Sequence, residues 1–256
     1  MTRLPGQGRT GWIPLAVALV GFGVSFAYVE AAVVVYLRTV YEPLQQSIHP
    51  GTASGELFPA MTLEELTATT PQGLRLLKVE LGRELATMVM LASFGLAVGG
   101  RPLRQFAAFM AAFGVWDIAF YAWLRLLIGW PATLWTWDML FLLPVPWSSP
   151  VIAPMIVAAT MTVCGLHTIA RDAAGDPVSP GWLGWAAVVA GGALIYLAFV
   201  GNSRLVASGG VPTRFDWPLF SAGEALAAGG YVASARGGRP RLGATGGLPT
   251  SVGDPG

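Results

Sequence analysis

Apolar runs of about 20 residues constrain this chain most, because that is the length a helix needs to cross a hydrocarbon core. The first runs from Trp12 to Tyr36 and is closed by Arg38. It is longer than the ~7–15 apolar residues of a signal-peptide core, so it is expected to be an uncleaved helix. The second, Leu74 to Val98, carries Lys78, Glu80, Arg83 and Glu84 in its first half. The third, Leu103 to Ile128, has Asp117 in its middle. An apolar stretch from Pro131 to Ala170 is too long for one span, and Pro144, Pro146, Pro150 and Pro154 interrupt it. It divides into a short helix or re-entrant segment at 131–147 and a span at Val151–Ala170. Trp182–Val200 is a fifth span. Trp217–Ser234, rich in Gly and Ala with Glu224 inside, is the weakest.

Composition agrees. The chain is 54% hydrophobic and 11% charged, against about 25% charged in a soluble domain. That excludes a water-soluble enzyme and extensive disorder. A net charge of +1 leaves no basic field for nucleic acid. One cysteine, Cys164, excludes a disulfide framework and a thiolate zinc site. Two histidines, His49 and His167, leave little for haem, and no cofactor is named by the sequence.

The expected fold is all-α: a polytopic transmembrane bundle of about six spans plus the segment at 131–147. Residues 1–235 form one transmembrane helical domain with an external loop at 39–73, and 236–256 a disordered cytoplasmic tail. Thr62-Leu63-Glu64-Glu65 in that loop is a capping-box pattern, so a short surface helix follows it over about Leu63–Ala68. No internal repeat of the kind used by inverted-repeat transporters is present. With the N-terminus inside, the cytoplasmic side collects Arg3, Arg9, Arg101, Arg104, Arg171, Arg236, Arg239 and Arg241. The outer loops hold Arg38, Arg204 and Arg214. The bias places both termini in the cytoplasm, with the chain multi-pass in a bacterial inner membrane.

Ionisable residues inside spans are the informative ones, since each costs at least ~2.5–3.5 kcal/mol at a span centre. Glu30 lies roughly 12 Å below the outer end of its helix, Glu84 roughly 13 Å and Asp117 roughly 19 Å, by the rise per residue. These polar groups share the outer half of the membrane. Glu80, Arg83 and Glu84 stand at i, i+3 and i+4 and share a face. Asp117, Tyr121 and Arg125 stand at i, i+4 and i+8 and suggest a second stripe, in which Arg125 neutralises Asp117. Asp138 comes from the outer rim. The carboxylates outnumber Arg83 and Arg125, and surplus buried carboxylates must be protonated, hold a cation or line water. The opposing reading is structural pairing alone. Lys78, the only lysine, lies near a span end and snorkels. Trp116, Trp123, Trp135 and Trp137 are concentrated enough to wall a pocket for an apolar or aromatic ligand.

Several segments carry a resemblance. Tyr28-Val29-Glu30-Ala31-Ala32-Val33-Val34-Val35-Tyr36-Leu37-Arg38 and Val79-Glu80-Leu81-Gly82-Arg83-Glu84 resemble the first two span motifs of a family of small bacterial polytopic membrane proteins. Phe113-Gly114-Val115-Trp116-Asp117, Gly129-Trp130-Pro131, Trp137-Asp138 and Pro144-Val145-Pro146-Trp147 resemble the motifs that follow. The resemblance covers about Gly11–Ala170. It implies a membrane bundle and points to the same charged residues, but it implies no activity.

Three functions follow as expectations. The first is binding or transport of a cation or polar small molecule by Glu30, Glu80, Arg83, Glu84, Asp117, Tyr121, Arg125 and Asp138. Acidic oxygens without His or Cys suit hard cations or protonated amines. The second is an accessory subunit of a larger membrane complex or a homo-oligomer, with cofactor binding through the tryptophans as an adjunct. The third is a membrane enzyme acting on a lipid or prenyl substrate. It has the least support, since the chain lacks a DxxxD-type metal motif, a nucleophile elbow and a His–Glu pair.

Overall fold

The computed structural model describes residues 11–52, 55–70 and 72–237. Its long helices are α1 (Ile13–Ile48), α3 (Gly73–Ala97), α4 (Pro102–Ile128), α5 (Ile152–Ala173), α6 (Trp182–Val200) and α8 (Trp217–Gly237). Two short helices, α2 (Leu63–Thr69) and α7 (Ser203–Ala207), and a hairpin of β1 (Trp137–Phe141) and β2 (Trp147–Pro150) complete it. Four helical stretches are long and apolar enough to cross a membrane: Ile13–Ile48, Pro102–Ile128, Ile152–Ala173 and Trp182–Ala207. The mostly helical, membrane-compatible character expected from the apolar runs is therefore present. α3 and α8, at 25 and 21 residues, have the length, but α3 carries a cluster of charges and α8 is diluted by Gly and Ala.

Helix ends follow local chemistry. Pro102 stands in the first turn of α4, where its missing N–H costs nothing. Gly129 ends the helix in the left-handed region at φ +71°, which a residue without Cβ adopts freely. The capping box at Thr62 forms in full: Glu65 N donates to the Thr62 hydroxyl, and Glu65 Oε2 accepts from Thr62 N at 2.8 Å.

Two expectations change. The loop expected from Thr39 begins ten residues later, because α1 is 36 residues long and continues through Pro43 to Ile48. At about 1.5 Å per residue it exceeds a ~30 Å hydrocarbon core. A helix keeps its backbone bonds after the apolar run ends, so loss of hydropathy at Arg38 marks no stop. The expected short helix at 131–147 is absent. Residues 137–150 instead form an antiparallel hairpin with Trp137 opposite Pro150, Asp138 opposite Ser149 and Met139 opposite Ser148. Prolines at 144, 146 and 150 remove the donors a helix needs and suit a turn and an edge. The tail expected at 236–256 lies outside the described residues, except that Arg236 and Gly237 close α8.

α4 is central. Its face of Ala107, Ala108, Ala111 and Ala112 is buried with Leu19 and Ala27 of α1, Leu91 of α3 and Ile169 of α5. Small residues let backbones approach without help from water exclusion, which is absent between helices in lipid. A Cβ on Gly165 would stand 2.5 Å from Ala107 O, and one on Gly191 of α6 would stand 2.6 Å from Ala227 N of α8. A second core joins α6 and α8 to the rest through Ala153, Phe199, Phe215 and Phe220.

Gly165→Val should therefore lower stability by about 1–3 kcal/mol through overpacking. Gly192→Ala, whose Cβ meets nothing within 4 Å, should be neutral or stabilising. Thermal unfolding in detergent checks both. The α2 cap adds a pH test. Two hydrogen bonds, the larger from Thr62 N–H, hold the Glu65 carboxyl below its ordinary value. A depressed carboxyl stabilises the fold above its unfolded pKa, and that contribution is lost as pH falls through the folded one. Helical order at Leu63–Thr69, read by amide exchange, should decline in acid below the ordinary carboxylate range, and Glu65→Ala should abolish that dependence.

Candidate functional site

The charged residues of the first two long helices meet at one end of the bundle, the end that holds the hairpin. Glu30 of α1 is buried, with 4% exposure. It accepts from Arg83 Nη1 and from the Thr87 hydroxyl at 2.9 Å. Arg83 Nε donates to both Glu80 oxygens, at 3.1 and 3.0 Å. One guanidinium thus bridges α1 and two turns of α3. The i, i+3, i+7 spacing places Glu80, Arg83 and Thr87 on the side of α3 that faces Glu30, whereas Glu84, at i+4, does not share it. Arg suits this role because its planar fork serves two carboxylates at once.

Glu84, also buried, turns the other way. Both its oxygens accept from Leu142 N at 3.0 Å, at the turn of the hairpin. Asp138 on β1 is buried and accepts from Tyr121 OH at 2.8 Å and from its neighbour Met139 N at 2.8 Å. Arg38 lies within electrostatic reach of Asp138. Asp117 stands one turn below Tyr121, close enough to feel the charge of Asp138, and makes no hydrogen bond or ion pair among the described residues.

Arg125 does not join the site. It is exposed and donates to the carbonyls of Gly129 and Pro131, the latter at 3.0 Å. Eight helical residues separate it from Asp117 by about 12 Å and 80° of rotation. The unpaired carbonyls at the C-terminus of α4 are nearer and attract a cation. The expected Asp117–Arg125 pair is therefore corrected. The other sequence-derived residues form three ties: Glu30–Arg83–Glu80 between α1 and α3, Glu84 between α3 and the hairpin, and Tyr121–Asp138 between α4 and the hairpin. Among the described residues no group of three His, Cys, Asp or Glu side chains is placed to hold a metal ion.

A cavity of about 850 Å³ opens at the same end. Arg38, Glu42, Trp130, Trp135 and Trp137 line it, with the segments Gly55–Phe58 and Val211–Pro212. The Arg38 guanidinium lies 4.2 Å from the centre of the Trp130 ring. Its Nη1 donates to Gly55 O at 3.3 Å, while its buried Nε has no partner. The sequence places Arg38 at the end of a span and among the outer-loop cations, and does not mark it as a binding residue. The signal available was its position one residue past an apolar run that continues as helix. Trp135 and Trp137, read as possible pocket walls, do line this cavity. Trp116 and Trp123 do not: Trp116 packs in the core, and Trp123 donates to Val24 O at 3.0 Å.

No family model matches the chain, and no curated protein or solved structure is significantly similar to it.

Two outcomes test these ties. Asp117→Asn and Arg125→Gln should have additive effects within about 0.3–0.5 kcal/mol, as separate sites do. Glu84→Ala should cost about 1–3 kcal/mol, because Leu142 N–H loses its acceptor inside the bundle, whereas Glu84→Gln, which keeps an acceptor, should cost less. Unfolding in detergent reads these four variants and the Asp117→Asn/Arg125→Gln double.

Proposed function

We propose that the chain is a multi-pass membrane protein that binds a small molecule, bearing an anionic group and a flat apolar body, in the cavity beside Arg38. The observation that carries this is an Arg38 guanidinium stacked on Trp130, with an unpartnered Nε, beside a cavity walled by Trp135 and Trp137. Its volume lies within the ~300–1,000 Å³ usual for small-molecule sites. A guanidinium beside aromatic faces favours a carboxylate or phosphate attached to a ring.

The carboxylates support this reading by being engaged elsewhere. Glu30 and Glu80 share Arg83, Glu84 holds Leu142 N–H, and Asp138 holds Tyr121. Their role in the proposal is to fix α1, α3, α4 and the hairpin around the cavity. A polar small molecule is thus favoured over a cation. All six long helices span, with α3 and α8 shielding their polar groups inside the bundle. The hairpin end faces outward, because the opposite end collects Arg101, Arg104, Arg171 and Arg236.

Tryptophan fluorescence of the purified chain should be quenched by aromatic carboxylates and not by the matching amides or amines. Arg38→Gln should weaken that binding roughly 10- to 100-fold, the worth of a charged hydrogen bond. Equal affinity in Arg38→Gln, or equal quenching by the amides, would contradict the assignment.

A further inference from the structure

The opposite end of the bundle holds a second built groove, between α5 and α8. The two helices run in the same direction, with their backbones largely apart, and side chains bridge them in rungs. Thr160 donates to Glu224 at 3.1 Å. Tyr231 OH donates to Cys164 O at 3.0 Å and meets His167 Nδ1 at 2.6 Å. Arg171 Nη1 donates to Ala235 O at 3.1 Å. Between these rungs and the surface lies a cavity of about 680 Å³.

The lining changes character along its length. Val163 and Val232, both exposed, mark the deeper part, and His167, Arg171 and Arg236 the shallow end. By the helical rise, Val163 stands about 12 Å deeper than Arg171, and Val232 about 6 Å deeper than Arg236. Arg171 is already paired with Asp176 at 2.7 Å. Arg236 is exposed and has no hydrogen bond or ion pair among the described residues. Arg239 and Arg241 follow it in the sequence.

We infer that this groove binds the phosphate headgroup of an anionic phospholipid, with Arg236 as the anchoring cation and an acyl chain along Val163 and Val232. A phosphate beside an uncommitted guanidinium is a charge-assisted contact, and basic pockets between helices on the cytoplasmic side suit such headgroups. The apolar part of the groove separates a lipid from a free phosphate, which would leave the valines uncovered. The inference rests on the membrane-spanning part of the proposed function but not on the Arg38 site.

The test is thermal unfolding of the purified full chain in neutral detergent, with phosphatidylglycerol, phosphatidylcholine or inorganic phosphate added. Phosphatidylglycerol should raise the melting temperature by roughly 5 °C at saturation, and phosphatidylcholine and inorganic phosphate should leave it unchanged. Arg236→Gln should remove more than half of the shift and Arg236→Lys should retain most of it. Arg204→Gln, at the other end of the bundle, should keep it whole. Equal shifts from both lipids, a full shift from inorganic phosphate alone, or an undiminished shift in Arg236→Gln would overturn the assignment. A chain that fractionates with membranes yet shows no lipid preference would refute the lipid site alone and leave the membrane reading standing.

Discussion

The bridge from Arg83 to Glu30 and Glu80 is the contact on which the arrangement of this end of the bundle depends. Glu30 is buried and Arg83 largely so, and a charge taken out of water is expensive unless it is paired. Arg83 therefore must have carboxylates, and Glu30 must have a cation. The observed placement of α1 and α3 supplies both. Apolar packing between helices in lipid is weakly directional, since the tails are as apolar as the side chains. A charged hydrogen bond is directional: Arg83, held by Glu80 on its own helix, gives its Nη1 to Glu30 of α1 and so ties the rotation of the two helices. Thr87, which donates to the second oxygen of Glu30, completes the shell.

The hairpin then becomes possible. Strand backbone leaves donors and acceptors that a helix would satisfy internally, so it enters a bundle only where protein groups receive them. Glu84 accepts the turn N–H of Leu142, and Asp138 anchors β1 to Tyr121 of α4. Ser148 and Ser149 of β2 are completely buried. Fixing the hairpin in turn carries Trp135 and Trp137 to the cavity edge opposite Arg38. In the proposed function, the carboxylates place the walls of the cavity and the Arg38 guanidinium supplies recognition.

Much of this was legible in the sequence, for definite reasons. Helix positions follow from apolar runs, and the α2 cap from a four-residue pattern with one good solution. The Glu80–Arg83 pair follows from spacing on one helix. Glu30 was identifiable as a residue needing a distant partner, because α1 offers no cation nearer than Arg38. The hairpin was not legible: its residues are apolar and proline-broken, and the groups that tie it to the helices, Glu84 and Tyr121, are remote in sequence. Arg125 was misplaced because an i, i+8 stripe drifts by about 80° and the helix terminus competes for the cation. Tyr231 and its contacts with His167 and Cys164 were invisible because they join helices more than sixty residues apart.

The central claim is that Arg83 and Glu30 are partners, and a double-mutant cycle measures that directly. Arg83→Gln should destabilise the protein by about 3–5 kcal/mol, since it strands the buried Glu30, and Glu30→Gln by about 1–3 kcal/mol, since Arg83 loses one charged hydrogen bond but keeps Glu80. The double variant should be less destabilised than the sum of the two by at least about 1 kcal/mol. Strict additivity, or a Glu30→Gln protein as stable as the wild type, would contradict the account, because Glu30 would then be a free carboxylate and the α1–α3 placement would rest on something else.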